Sequence, residues 1–167
     1  MSVWDDLVGQ RKAVEALQAA ASGHGMSHAF LFTGPPGSGR SNAAVAFAAA
    51  LQCAEDPPGC GTCHACHTVL AGSHADVSVV RTERLSIGIN EVRDLVRRSA
   101  LRPVGPRWQI VIIEDADRLT EGACNALLKA IEEPAEHTVW MLCTPTVDEI
   151  AAAIDVRLAP LLTQAKR

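Results

Sequence analysis

Apolar and polar positions run along this chain in two rhythms, one with the period of a helix and one a continuous burst. Leu7, Val8, Val14, Leu17 and the Ala20/Ala21 pair recur at near-helical spacing, which predicts a helix over Asp5–Ala21, broken by Gly23 and Gly25. Ala29-Phe30-Leu31-Phe32-Thr33 is a short apolar run that stops at Gly34, and an alanine-rich stretch from Asn42 to Leu51 follows it. That order predicts a strand, a glycine-rich turn and a helix. Asp76–Val80, Gln109–Ile113 and Val139–Cys143 are three further strand candidates. Ile89, Val92, Leu95 and Val96 mark an amphipathic helix ended by Pro103, Gly105 and Pro106, and Thr120–Glu133 forms another, stopped by Pro134. The strands, Gln109–Ile113 above all, are too apolar to keep one face in water. Such strands separated by helices build a parallel sheet covered on both sides, an α/β fold of three layers.

Size and charge narrow this picture. A chain of 167 residues supports one domain with a sizeable core, so residues 1–167 are expected to form one unit carrying at most a small insertion. The longest apolar runs, Ala43–Leu51 and Ile110–Ile113, fall well short of the roughly 20 residues of a membrane span. Met1-Ser2-Val3-Trp4-Asp5-Asp6 shows no basic segment leading into an apolar stretch, so a cytoplasmic address is expected. The net charge of −4 does not attract a polyanion, which argues against a stand-alone nucleic-acid binder.

The turn after the first strand reads Gly34-Pro35-Pro36-Gly37-Ser38-Gly39-Arg40-Ser41. It has Walker A spacing throughout and departs from the motif at one position, where Arg40 replaces lysine. Gly34, Gly37, Ser38 and Gly39 let the backbone turn its N–H groups inward, and the following helix presents free N–H groups and a positive dipole end. Main chain therefore does most of the phosphate holding. Lysine would place a compact charge on the terminal phosphates, whereas guanidinium is planar and larger, so hydrolysis should suffer more than binding. Ser41 is the hydroxyl available to Mg²⁺ in a metal–ATP complex.

Ile110-Val111-Ile112-Ile113-Glu114-Asp115 is an apolar strand ending in two carboxylates, a Walker B candidate. The usual order is Asp then Glu. Here Glu114 takes the metal side and the shorter Asp115 the water side, and because phosphoryl transfer depends on positioning, the inversion should slow it.

Of the six cysteines, Cys53, Cys60, Cys63 and Cys66 fall within a single short segment. Four soft ligands close a tetrahedral Zn²⁺ shell with no open position, which means a structural metal. His64 and His67 are adjacent alternatives, although four thiolates suffice. Cys124 and Cys143 sit in a helix and a strand and read as small core residues.

Several stretches carry a family resemblance: Leu7-Val8-Gly9-Gln10, Ser27-His28-Ala29-Phe30-Leu31-Phe32, the four-cysteine insert, His74-Ala75-Asp76, Ile87-Gly88-Ile89 with Val92-Arg93, and Asn125-Ala126-Leu127-Leu128-Lys129-Ala130-Ile131-Glu132-Glu133-Pro134. Over nearly its whole length the chain resembles the delta-prime family of bacterial DNA polymerase III clamp-loader subunits, and more distantly the gamma/tau subunits. The resemblance implies an AAA+ P-loop fold and a place in the complex that opens the ring-shaped sliding clamp and sets it on primed DNA, with gamma/tau and delta subunits as partners. It also implies a weak or absent ATPase and an arginine offered to the neighbouring subunit's ATP from a Ser-Arg-Cys motif. In register this is Arg157, flanked here by Val156 and Leu158, so the sequence departs from the family from Asp155 onward. Thr144 falls at the family's sensor position. The family continues into a helical lid and an oligomerising collar beyond the stretch matched here. Two other readings stand beside this one: an active gamma/tau-type ATPase, and a zinc-module interaction scaffold on an inert fold.

Overall fold

The computed structural model describes residues 2–5, 7, 11–24, 26–33, 40–81, 85–105, 107–145 and 155–157, and of residues 40 and 155–157 the backbone alone. In chain order the elements are α1 (Arg11–Ala21), β1 (Ala29–Thr33), α2 (Arg40–Gln52), α3 (His64–Ala71), β2 (Val77–Val80), α4 (Ile89–Ser99), β3 (Gln109–Ile113), α5 (Glu121–Glu132), β4 (Thr138–Thr144) and β5 (Asp155–Arg157). A single 3₁₀ turn at Ala116–Arg118 leads into α5.

The strands lie in the order β2-β3-β4-β1-β5. The first four are parallel, in registers that pair Val80 with Ile113, Ile113 with Leu142, and Thr33 with Thr144. β5 was not expected; it joins the edge antiparallel to β1, with Arg157 opposite Leu31. The predicted all-parallel sheet therefore holds for four strands and not for the fifth.

Alternating strand residues feed two cores. Phe30, Phe32, Ile110, Ile112, Val139 and Met141 face α2 and its neighbours, whereas Leu31, Val111, Ile113, Trp140 and Leu142 face α4 and α5. With both faces covered, most strand positions are apolar, and Thr33, Thr138 and Thr144 are buried exceptions at the strand ends. On the first face the ring of Phe47 meets Phe30 edge-on, centroids 4.9 Å apart.

α2 is buried nearly all round, its Ala43, Ala44, Ala46, Ala48, Ala49 and Ala50 packed between the sheet and the α1 and α3 helices. Small side chains let it lie close to the sheet, which explains an alanine run with no polar face. α1 is shorter than its pattern predicts. Ser2–Asp5 form a turn, in which the Ser2 N–H donates to the Asp5 carboxylate at 2.9 Å and the Val3 N–H donates to the Gly59 carbonyl at 2.9 Å. Leu7 is buried in the first core without belonging to a helix.

Buried polar groups tie the loops to these layers. The Gln52 side chain donates to the Trp108 carbonyl at 2.6 Å and accepts from the Trp108 N–H at 3.2 Å, joining the end of α2 to the start of β3. The buried Asp76 carboxylate accepts from the Val104 and Gly105 N–H groups at 2.7 and 2.8 Å, which folds the loop after α4 onto β2. At α5 the Thr120 hydroxyl accepts from the Ala123 N–H at 3.1 Å and caps the helix.

Two substitutions test this account in equilibrium denaturant unfolding. Leu127 is fully buried in the second core, so Leu127→Ala is expected to destabilise the fold by about 2–5 kcal/mol. Thr120→Ala, which removes only the α5 cap, is expected to cost about 1 kcal/mol.

Candidate phosphate-binding edge and metal centre

The parallel registers bring the carboxyl ends of β1, β3 and β4 to one edge of the sheet. Thr33 and Thr144 lie side by side there, both buried, and Glu114 follows Ile113 on the next strand. β1 ends at Thr33 and α2 begins at Arg40, so the ends to which the glycine-rich sequence is joined lie at this edge. In open α/β sheets, ligands settle outside the carboxyl ends where the connections diverge, and here β1 connects across β4 and β3 to β2. Gly34, Gly37, Ser38 and Gly39 lie outside the described residues. Arg40 is the first residue of α2, with backbone alone described, and Ser41 is half-buried in the first turn.

Glu114 and Asp115 are both half-buried, but they are held differently. The Glu114 N–H donates to the Val80 carbonyl at 3.0 Å, extending the β2–β3 ladder by one step. Its carboxylate accepts from the Arg81 Nε in an ion pair, with the Glu114 side chain 14% exposed. Asp115 begins the turn into α5, its carbonyl accepting from the Arg118 N–H at 2.9 Å. Its backbone leaves the strand conformation at φ −120° and ψ 57°, so the two acids do not extend as one strand end. The Thr144 hydroxyl donates to the Pro145 carbonyl at 3.3 Å. Arg157 lies in β5 at the sheet's edge.

Arg81 was missed in the sequence, yet a signal for it exists. Val80 and Ile113 are register partners, so the residues after them, Arg81 and Glu114, are neighbours of opposite charge. That pairing bears directly on Mg²⁺: a divalent ion needs an open carboxylate, and this one is already neutralised by a guanidinium. A metal on Glu114 would have to share or displace the Arg81 guanidinium, which contacts one of its two carboxylate oxygens.

The cysteines are gathered at the other end of α2. Cys53 follows its last residue, the chain turns at Gly59 and Gly61 in the left-handed region (φ 96° and 79°), and Cys63 caps α3 with Cys66 one turn in. A side chain on Gly59 would meet Trp4 Nε1 and Val3 Cγ2 at 2.9 Å, so the N-terminal turn seats directly on the knuckle. All four sulfurs lie within 4.8 Å of one another. The Cys53–Cys60 and Cys53–Cys63 Sγ separations are 3.7 and 3.8 Å. Four thiolates about 2.3 Å from one zinc ion stand about 3.8 Å apart, whereas a disulfide needs about 2.05 Å. The set therefore fits a tetrahedral metal, and all six cysteines are free. His64 and His67 are exposed and outside the cluster, while Cys124 and Cys143 are buried in the core as expected. Helix α3 itself was unexpected, since the cysteine spacing hides its first turn.

Backbone N–H groups aimed at the sulfurs prepare them for a cation. The Thr62 and Cys63 N–H groups, with the Thr62 hydroxyl, bring the Cys60 thiol down to about 6. Burial alone pushes the Cys53 thiol up, but N–H groups from Cys60, Glu55 and Gly59 outweigh it and leave it below its ordinary value. Burial pushes the Cys66 thiol up.

A three-layer sheet of this order, with a glycine-rich sequence between β1 and α2 and acids at the end of β3, is a P-loop α/β domain of the AAA+ type. A family model described as "DNA polymerase III, delta subunit" matches residues 9–166, and the chain belongs to that family. It is 36% identical over 153 residues to a Bacillus subtilis protein named DNA polymerase III subunit tau, covering 90% of this chain and 27% of the relative. It is 34% identical over 122 residues to the Bacillus subtilis subunit delta′, covering 71% of this chain and 36% of that protein. A solved structure of a gamma-subunit-related protein from Thermotoga maritima superposes with a TM-score of 0.52 at 23% identity, over 80% of this chain and 39% of the other. The chain thus spans well under half the length of these relatives. Among the described residues, no helix is long and apolar enough to cross a membrane.

In metal-free protein, Cys60 is expected to react with iodoacetamide before the buried Cys66. Its rate should rise as the pH passes through about 6 and level off above, because the thiolate is the nucleophile. Peptide mapping checks the order, and added zinc is expected to protect the whole cluster.

Proposed function

We propose that this chain is the P-loop portion of a delta-prime-type clamp-loader subunit that takes part in setting the sliding clamp on primed DNA. Its partners in this reading are the gamma/tau and delta subunits, and it works in the cytoplasm. The observation that carries the reading is the state of Glu114: in a member of the DNA polymerase III delta family, the acid that would serve the metal is paired with Arg81. The phosphate cradle of Gly34, Gly37, Ser38, Gly39 and Ser41 serves as a binding scaffold, with Thr144 at its rim. Arg40 and the reversed Glu114-Asp115 order leave it without the side chains that drive bond cleavage. Arg157, on the outer strand, is the arginine offered in trans to a neighbour's ATP. Cys53, Cys60, Cys63 and Cys66 hold a structural Zn²⁺, which when bound closes the knuckle and carries out no chemistry of its own.

The greater coverage of the tau relative favours a second reading, an active gamma/tau-type ATPase. Steady-state ATP turnover separates the two. The wild-type chain is expected to turn over at least about 100-fold below the ~10 s⁻¹ typical of enzymes. Arg40→Lys alone is expected not to restore activity, because Glu114, Asp115 and Arg81 are unchanged. Brisk hydrolysis by the wild type would overturn the delta-prime reading.

A further inference from the structure

A groove of about 1060 Å³ runs between the N-terminal turn, the far end of α1 and the cysteine knuckle. Two independent features of its wall specify one kind of occupant. The first is a donor without an acceptor. Trp4 lines the groove yet is only 7% exposed, and its indole Nε1–H has no hydrogen-bond partner among the described residues. The Nε1 atom lies 2.9 Å from where a Cβ on Gly59 would stand, and Gly59 belongs to the same wall, so the N–H is fixed at the seam between turn and knuckle. A buried donor left unsatisfied is costly, and folds normally give it a partner. The second feature is charge. Asp5, Glu55 and Asp56 line the groove, and no lysine or arginine does. Nor does one occur anywhere between Arg40 and Arg81, the stretch that contains the knuckle. Asp5 is engaged by Ser2, whereas the exposed Glu55 and Asp56 carboxylates have no partner among the described residues. Such a wall repels nucleic acid and attracts cations.

We propose that this groove is a docking surface for a basic, extended segment of a partner protein. A main-chain carbonyl of the segment accepts from the Trp4 indole, and its lysine or arginine side chains meet Glu55 and Asp56. Neither feature alone would select a peptide. A metal ion or a polyamine satisfies the carboxylates but brings no acceptor for an N–H, and a neutral or acidic chain brings the acceptor without the cations. The groove lies at the opposite end of α2 from the carboxyl edge of the sheet, so the inference is independent of any nucleotide held there.

The test uses the zinc-loaded chain labelled with ¹⁵N, in which the three tryptophans give separate indole N–H cross-peaks. That of Trp4 is assigned by its loss in Trp4→Phe and, independently, by its proximity to the Val3 side chain. The probes are a hexapeptide alternating arginine and glycine, its glutamate–glycine counterpart, and spermine. The arginine peptide is expected to move the Trp4 cross-peak saturably while those of Trp108 and Trp140 stay in place, and the glutamate peptide to move none. Glu55→Gln/Asp56→Asn, which alters exposed side chains only, is expected to weaken the arginine peptide at least about fivefold, the scale of exposed ion pairs. An unmoved Trp4 cross-peak, equal binding by the double variant, or a matching shift with spermine would each overturn the proposal. So would a Trp4 shift that follows protein concentration alone, which would put a second copy of this chain in the groove.

Discussion

Parallel pairing among β1, β4, β3 and β2 governs which side chains of this molecule can meet. In a parallel ladder every strand ends at the same rim, so the residues after each last pair become neighbours whatever their distance in sequence. Thr33, Arg81, Glu114 and Thr144 come from four separate segments and share that rim because the registers agree step for step. A one-residue slip of β3 would turn its apolar side chains to the wrong faces, undoing both cores and moving Glu114 away from Arg81. The chemistry at the rim is thus secured by the hydrophobic layers beneath it.

A second arrangement, at the opposite end of α2, has a different physical basis. The loop from Cys53 to Cys66 contributes few apolar side chains, so its order depends on the sulfurs and on N–H groups turned toward them. The N-terminal turn lies on this loop through Val3, Trp4 and Gly59. The cysteine knuckle and the N-terminal turn are therefore one packing unit. This accounts for the buried Trp4, which lies one residue before the helix that the sequence pattern suggested.

What was legible in the sequence divides along the same lines. The four parallel strands were readable because a strand buried on both faces is an uninterrupted apolar run, and α4 and α5 because one polar face leaves a clear period. The gathering of Cys53, Cys60, Cys63 and Cys66 was readable from chemistry alone, since so many thiols in so short a stretch suit a shared cation. Three things were not. α3 begins at a cysteine cap, and its apolar residues are too few to show a period. β5 has only three residues and pairs by backbone, without a hydrophobic signature. Arg81 becomes meaningful only once the β2–β3 register is known, because its partner lies 33 positions away in the chain. Local pattern reports burial well and cross-strand company poorly.

Helix α2 joins the two ends of this architecture. It begins at Arg40, beside the glycine-rich segment, and ends at Gln52, one residue before Cys53. Thirteen residues make a rod about 20 Å long. Alanines on most sides set the rod close against its neighbours, and the reciprocal Gln52–Trp108 bonds pin its far end to the sheet. The cysteine knuckle and the glycine-rich segment are thus the two ends of one continuous helix, so the placement of either sets where the other attaches.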